Sequence, residues 1–120
     1  MVKILVVDDT PSTRQLISGY LQENGHQVIE AEDGKEALAK AIDNSPDVII
    51  TDVVMPEMNG FELCRSLKKK PETQGARIVV CTSKNQDIDR LWGMKQGADV
   101  YLTKPFTRED IMKAITSLNL

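Results

Sequence analysis

The stretch from Asp47 to Gly60, DVIITDVVMPEMNG, constrains the fold more than any other part of the chain. Val48-Ile49-Ile50 is a short apolar, β-branched run that closes within two residues on a single carboxylate, Asp52, before the chain breaks at Pro56 and Gly60. A run this short, bounded by turn residues, fits a strand buried on both faces of a parallel sheet. Asp52 then stands where the strand leaves the core. In open parallel α/β sheets, ligands and chemistry collect at the carboxyl ends of the strands.

The same pattern recurs along the chain. Lys3-Ile4-Leu5-Val6-Val7 is an apolar run that stops at Asp8-Asp9. Thr10 followed by Pro11 is a helix start, with Thr as cap and Pro at the first helical position. Leu16, Ile17, Tyr20 and Leu21 repeat at helical spacing until Gly25. Val28, Ile29 and Ala31 make a weaker strand, expected at the sheet edge. Asp33 and Glu36 resemble a capping box for a helix whose inward stripe is Ala37, Leu38, Ala41 and Ile42. After Asn59-Gly60, Phe61, Leu63, Cys64 and Leu67 supply the apolar positions of a third helix. Lys68-Lys69-Lys70 closes it, either as cations complementing the helix dipole or as a docking patch. Ile78-Val79-Val80-Cys81 is a fourth buried strand, ending at Thr82-Ser83 after the polar loop from Pro71 to Gly75. Ile88, Leu91, Trp92 and Met94 lie on a short helix stopped near Gly97, and Val100-Tyr101-Leu102 is a fifth strand followed by Lys104-Pro105. Thr107, with Asp110 three residues on, starts a last helix bearing Ile111, Met112, Ile115 and Leu118.

Five repetitions of strand then helix imply an α/β domain, a doubly wound five-stranded parallel sheet with helices on both faces. At 120 residues the chain is the length of one domain, residues 1–120, with no linker or low-complexity segment. A formal charge of −3 leaves no global basic footprint, which argues against direct nucleic-acid binding. No apolar run approaches the ~20 residues of a membrane span, and the N-terminus lacks a signal-peptide layout, so the expected location is cytoplasmic and not in a membrane. Cys64 and Cys81 have neither CxxC nor Cys/His spacing and read as buried structural thiols.

All strand exits of a parallel sheet share one edge, so Asp8, Asp9, Asp52, Thr82 and Lys104 converge on one candidate site. Three crowded carboxylates repel one another unless a cation sits among them. Mg²⁺, with Mn²⁺ as the alternative ion, suits such a set because it takes a few carboxylates, a carbonyl and retained waters. Lys104 adds a monovalent charge and Thr82 a small hydroxyl. Together they suit a phosphoryl group, with Asp52 as nucleophile and Asp8 and Asp9 as metal holders.

These residues resemble the receiver domain of two-component response regulators. The likeness is carried by Asp8-Asp9, by Asp52-Val53-Val54-Met55-Pro56 with Met58 and Gly60, by Thr82-Ser83, and by Lys104-Pro105-Phe106, and it spans the whole chain. The resemblance implies a flavodoxin-like fold with strand order 2-1-3-4-5. It implies that Asp52 accepts phosphate from a histidine kinase or histidine phosphotransfer domain. Asp9, Asp52 and the Val54 backbone carbonyl would hold Mg²⁺, with Asp8 acting on the metal directly or through its water. Thr82, Ser83 and Lys104 would bind phosphoryl oxygens. Val54 and Lys84 would flank the pocket and bear on the acyl-phosphate lifetime. Tyr101 matches the aromatic switch residue, and the Lys104–Pro105 bond is cis in that family. The protein would be a signalling switch that catalyses only its own phosphotransfer and dephosphorylation.

The segment from Asp89 to Asp99 resembles, more weakly, receivers of chemotaxis-like pathways that control pilus-driven motility. A protein partner is expected at the face formed by the fourth helix, fifth strand and fifth helix, carrying Arg90, Lys95, Tyr101 and Arg108. Trp92 reads either as a packed aromatic or as a partner hot spot. With no output domain after Leu120, a stand-alone receiver acting by protein contact is expected. Two alternatives compete. One is a Mg²⁺-dependent phosphohydrolase with Asp52 as transient nucleophile, although Val54 stands where such enzymes place a second acid. The other is a pseudo-receiver that only binds.

Overall fold

Of the five runs that become strands, the three central ones are buried on both faces, where β-branched side chains pack well, and the two at the sheet edges are only partly buried. The computed structural model describes residues 1–120. Its elements are β1 (Lys3–Val7), α1 (Pro11–Glu23), β2 (Gln27–Ala31), α2 (Gly34–Asn44), β3 (Val48–Thr51), α3 (Gly60–Lys69), β4 (Arg77–Thr82), α4 (Asp87–Lys95), β5 (Val100–Thr103) and α5 (Arg108–Ser117). The strands form one parallel sheet in the order β2-β1-β3-β4-β5, the flavodoxin-like order expected. No helix is long and apolar enough to cross a membrane.

Register brings the ends of β1, β2 and β3 level, with β4 and β5 running two residues further. Val7 pairs with both Ala31 and Thr51, Thr51 with Val80, and Thr82 with Thr103. The residues that follow these ends therefore emerge side by side. The chain runs outward from β1 to β2 and then returns past β1 to β3, so Asp8 and Asp52 flank the point where the winding reverses.

The sheet separates two cores. One packs Leu5, Val7, Ile49, Ile78 and Val80 against α2 and α3, and the other packs Ile4, Val6, Ile50, Val79 and Cys81 against α1 and α5. Cys64 and Cys81 are buried, one in each, as expected of structural thiols. Burial pushes both thiols up to about 12.

Four local expectations are corrected. Thr10 stands at the N-cap of α1, but its side chain caps nothing; its backbone N–H instead donates to Asp8 Oδ1 at 2.9 Å. Leu16 is exposed, so the inward stripe of α1 is narrower than spacing suggested. At α2 only half of the capping box forms. Asp33 accepts from the Glu36 N–H, while the Glu36 carboxylate accepts from Glu32. On α4, Ile88, Leu91, Trp92 and Met94 are all exposed and Gly93 is the sole buried residue. This short helix thus lays a glycine, not its apolar side chains, against the core, and Trp92 is not a packed core aromatic. Of the lysine run, Lys68 donates to the carbonyls of Gln74 and Ala76, tying down the loop after α3.

Candidate functional site

Asp52 leaves β3 with its backbone N–H donating to the Val7 carbonyl at 3.1 Å, which fixes it beside the end of β1. Its Oδ1 accepts from the N–H groups of Val53 and Val54, at 2.6 and 3.3 Å. Its Oδ2 accepts from Lys104 Nζ at 3.0 Å, and the same ammonium donates to Asp8 Oδ2 at 3.1 Å. Both carboxylates are nearly enclosed, at 1% exposure for Asp8 and 8% for Asp52. Burial by itself would lower the Lys104 pKa, but the hydrogen bonds it donates to Asp52 and Asp8 outweigh it and hold the ammonium above its ordinary value.

Asp9 completes the cluster. Asp8, Asp9 and Asp52 each offer a carboxylate oxygen, and these atoms lie within 4.8 Å of one another. Three hard, anionic oxygens at one mouth, with one of the three residues exposed, are a donor set that fits Mg²⁺. The ammonium of Lys104 is held by the two buried carboxylates, and Asp9 is the exposed member of the cluster.

The loop after β3 closes the site from below. The Gly60 N–H donates to the Val53 carbonyl at 2.9 Å, and a Cβ on Gly60 would collide with the Asp52 carbonyl oxygen. Only glycine permits that approach. Glu57 takes a left-handed backbone at φ 67, a strained conformation for a residue with a side chain, in the turn that forms the rim. The capping box of Asn59 and Glu62 then starts α3.

Thr82 ends β4 fully buried, its Oγ1 accepting from the Lys84 N–H at 3.4 Å, while its carbonyl accepts from the Lys104 N–H at 2.8 Å. The bond from Lys104 to Pro105 is cis. Ser83 and Lys84 are exposed. Thus Asp8, Asp9, Asp52 and Lys104 meet through their side chains, Thr82 joins them through the backbone of Lys104, and Ser83 makes no side-chain bond to the group.

Tyr101 and Thr82 point to the same side of the sheet, since Val80 pairs with Tyr101 and alternate residues share a face. The Tyr101 ring is buried and its hydroxyl donates to the Lys84 carbonyl at 2.8 Å. Burial, and behind it the charge of Asp89, raise the Tyr101 pKa against the opposing pull of Arg90. Of the expected output face, Arg90 donates to the Tyr101 carbonyl and Lys95 is exposed on α4. Arg108, at the start of α5, pairs with Glu23 at the end of α1 at 3.3 Å.

One contributor was missed. Arg14 donates to the Asp8 carbonyl at 2.8 Å and pairs with Glu30 at 2.9 Å, bracing the β1 exit against β2. Its signal was a lone glutamate inside the apolar run of β2 and a basic residue one turn into the helix that follows Asp8-Asp9.

Comparison with known proteins agrees with this geometry. The model of the response regulator receiver domain family matches residues 4–116. The chain is 42% identical to the protein PilH of Pseudomonas aeruginosa, covering 98% of each, and 35% identical to PilG of the same organism, covering 84% of that protein. It spans about half, 48%, of another relative, the alkaline phosphatase synthesis transcriptional regulatory protein PhoP of Bacillus subtilis. Among solved structures, it superposes on the chemotaxis response regulator CheY4 of Vibrio cholerae with a TM-score of 0.92 at 39% identity, covering 98% of each chain. The receiver domain of a sensor histidine kinase from Pseudomonas aeruginosa, solved with a magnesium ion coordinated in its active-site cleft, superposes at 0.89 with 26% identity over 97% of this chain and 95% of that one.

Proposed function

The chain belongs to the response regulator receiver domain family, and from that premise we propose that Asp52 is its phosphoacceptor and that Asp8, Asp9 and Lys104 serve it. As a receiver it is a phosphorylation-activated switch of two-component signalling and not a conventional enzyme. Family membership favours this function over a phosphohydrolase or a pseudo-receiver. The observation that carries the assignment is the single ammonium of Lys104 bridging Asp8 and Asp52 inside a cluster of three carboxylates.

Asp52 attacks as a carboxylate. An oxygen of Asp52 bonds to the phosphorus of a phosphohistidine, the P–N bond breaks, and the imidazole leaves and takes up a proton. The two amides on Oδ1 orient the nucleophile and leave the Oδ2 side, where Lys104 lies, for the incoming group. Asp8, Asp9 and Asp52, with the Val54 carbonyl, would hold Mg²⁺, which when bound neutralises charge on the phosphoryl oxygens. Lys104 pairs with a phosphoryl oxygen, and the Thr82 hydroxyl turns from the Lys84 N–H to donate to another; Ser83 lines the mouth. Because the Lys84 N–H donates to Thr82 and the Lys84 carbonyl accepts from Tyr101, movement of Thr82 reaches the ring through one residue. Water later attacks phosphorus, the bond from phosphorus to the Asp52 oxygen breaks, inorganic phosphate leaves and the carboxylate is restored.

The donor is a histidine kinase or histidine phosphotransfer domain, the target is a protein at the face of α4, β5 and α5, and the setting is cytoplasmic. The exposed Val54 side chain leaves no acid two residues beyond the nucleophile. Incubation with acetyl phosphate and Mg²⁺ followed by intact mass should show one phosphoryl group on the wild type and none on Asp52→Asn. Equal labelling of both, or no labelling of the wild type, would refute the assignment.

A further inference from the structure

Beneath α4, the ring of Tyr101 fills a socket roofed by Gly93. A Cβ built on Gly93 would stand 2.9 Å from Cδ2 and 3.0 Å from Cε2 of Tyr101, and 3.2 Å from Cε1 of Phe61. Gly93 lies inside a helix, where glycine is a poor choice by propensity, and its backbone needs no left-handed angle. Gly19, inside α1, is the useful contrast, because nothing lies within 4 Å of where its Cβ would be. The ring belongs to the apolar core that includes Phe61 and Ala98, and polar contacts hold it as well. The Tyr101 hydroxyl donates to the Lys84 carbonyl, Arg90 lies 5.2 Å over the ring, and its Nη1 donates to the Tyr101 carbonyl at 3.0 Å.

We propose that Gly93 is a positioning residue of the switch: the missing side chain admits the Tyr101 ring beneath α4 and so locks this helix to the ring. The inference rests on Tyr101 being the residue that couples the phosphoryl site to α4. With Gly93 as the sole buried residue of α4, the seating of that helix on the core depends on the ring that occupies this space. A methyl group there evicts the ring and uncouples the helix from Asp52.

The test is a double-mutant cycle on the intact chain with two reporters. Gly19→Ala should raise the melting temperature by a few degrees, as helix propensity alone dictates. Gly93→Ala should lower it in the wild type but raise it in a Tyr101→Ala background, where the ring is gone. Nitration by tetranitromethane, read peptide by peptide, should be several-fold faster at Tyr101 in Gly93→Ala, with Tyr20 unchanged. Emission from Trp92, the single tryptophan, should change when the wild type is phosphorylated and stay constant when Gly93→Ala is phosphorylated to the same extent. A rise in melting temperature for Gly93→Ala in the wild type overturns the proposal. So does an equal loss in both backgrounds, unchanged nitration of Tyr101, or a Trp92 response that phosphorylated Gly93→Ala retains or the phosphorylated wild type lacks. Failure of Asp52 to accept phosphate would instead strike the assignment of the phosphoacceptor, and the cycle and the nitration would still decide the socket.

Discussion

Lys104 is the residue on which the site's electrostatics turn. Its one positive charge is shared by two carboxylates that are almost wholly enclosed, so its removal strands charge that water reaches poorly. In Mg²⁺-free buffer, Lys104→Met should cost about 1–3 kcal/mol, a figure held below that of a fully buried pair because the lysine is partly exposed. Added Mg²⁺ should restore more stability to the variant than it gives the wild type, because the ammonium no longer competes for Asp8 and Asp52. Thermal melts with and without the ion measure both. Asp52 was legible from its own strand, as a carboxylate closing an apolar run before a Pro/Gly break. The role of Gly60 was not. Its need for glycine arises from the approach of the Asp52 carbonyl, which only the folded loop creates.

Helix starts separate two kinds of element signal. At α5 the capping box is complete, with Thr107 Oγ1 accepting from the Asp110 N–H and the Asp110 carboxylate accepting from the Thr107 N–H. At α1 the residue type is the same, yet the Thr10 side chain satisfies nothing in the helix. Thr107→Ala should therefore cost about 1 kcal/mol, and Thr10→Ala close to nothing, by chemical denaturation. At α1 it is the Thr10 backbone N–H that is engaged, donating to Asp8, which makes the start of the helix part of the acidic site. α4 makes the converse point. Its apolar residues follow helical spacing, but the surface they would cover is already filled by Tyr101, Phe61 and Ala98, so they remain in solvent.

Over the whole molecule, one sheet divides two cores and makes them interdependent. Cys64 and Cys81 sit on opposite sides of it, neutral thiols with pKa values of about 12. Native protein near neutral pH should resist iodoacetamide, and both cysteines should react at one common rate set by global opening. Distinct rates, read by peptide mapping, would mean that one core opens alone. The N-terminus supplies a pH dependence. His26 Nδ1 accepts the Val2 N–H at 3.2 Å, and burial, with the N-terminal ammonium second, lowers its pKa from 6.5. As the pH falls through the unfolded value of about 6.5, the unfolded chain takes up the proton first. This contribution is therefore full above that pH and declines below it, toward the lowered folded value. Melting temperature against pH should show this acidic limb, and His26→Gln should lack it.

The sequence alone determined the alternation of strands and helices, the parallel sheet, the edge where the acids gather, and the identity of Asp8, Asp9, Asp52, Thr82 and Lys104. These were legible because hydrophobic period, turn residues and chain direction are local properties, and a parallel sheet sends every strand exit to one side. Only the tertiary structure decided which atoms meet. It placed Lys104 between Asp8 and Asp52, sent Arg108 toward α1 and Arg14 to the back of Asp8, left Ser83 without a side-chain bond to the cluster, and exposed the apolar side chains of α4. Those outcomes depend on side-chain reach and on competition for space between segments far apart in the chain, which no local pattern encodes. Asp52 and Lys104 lie 52 residues apart in sequence and 3.0 Å apart in space.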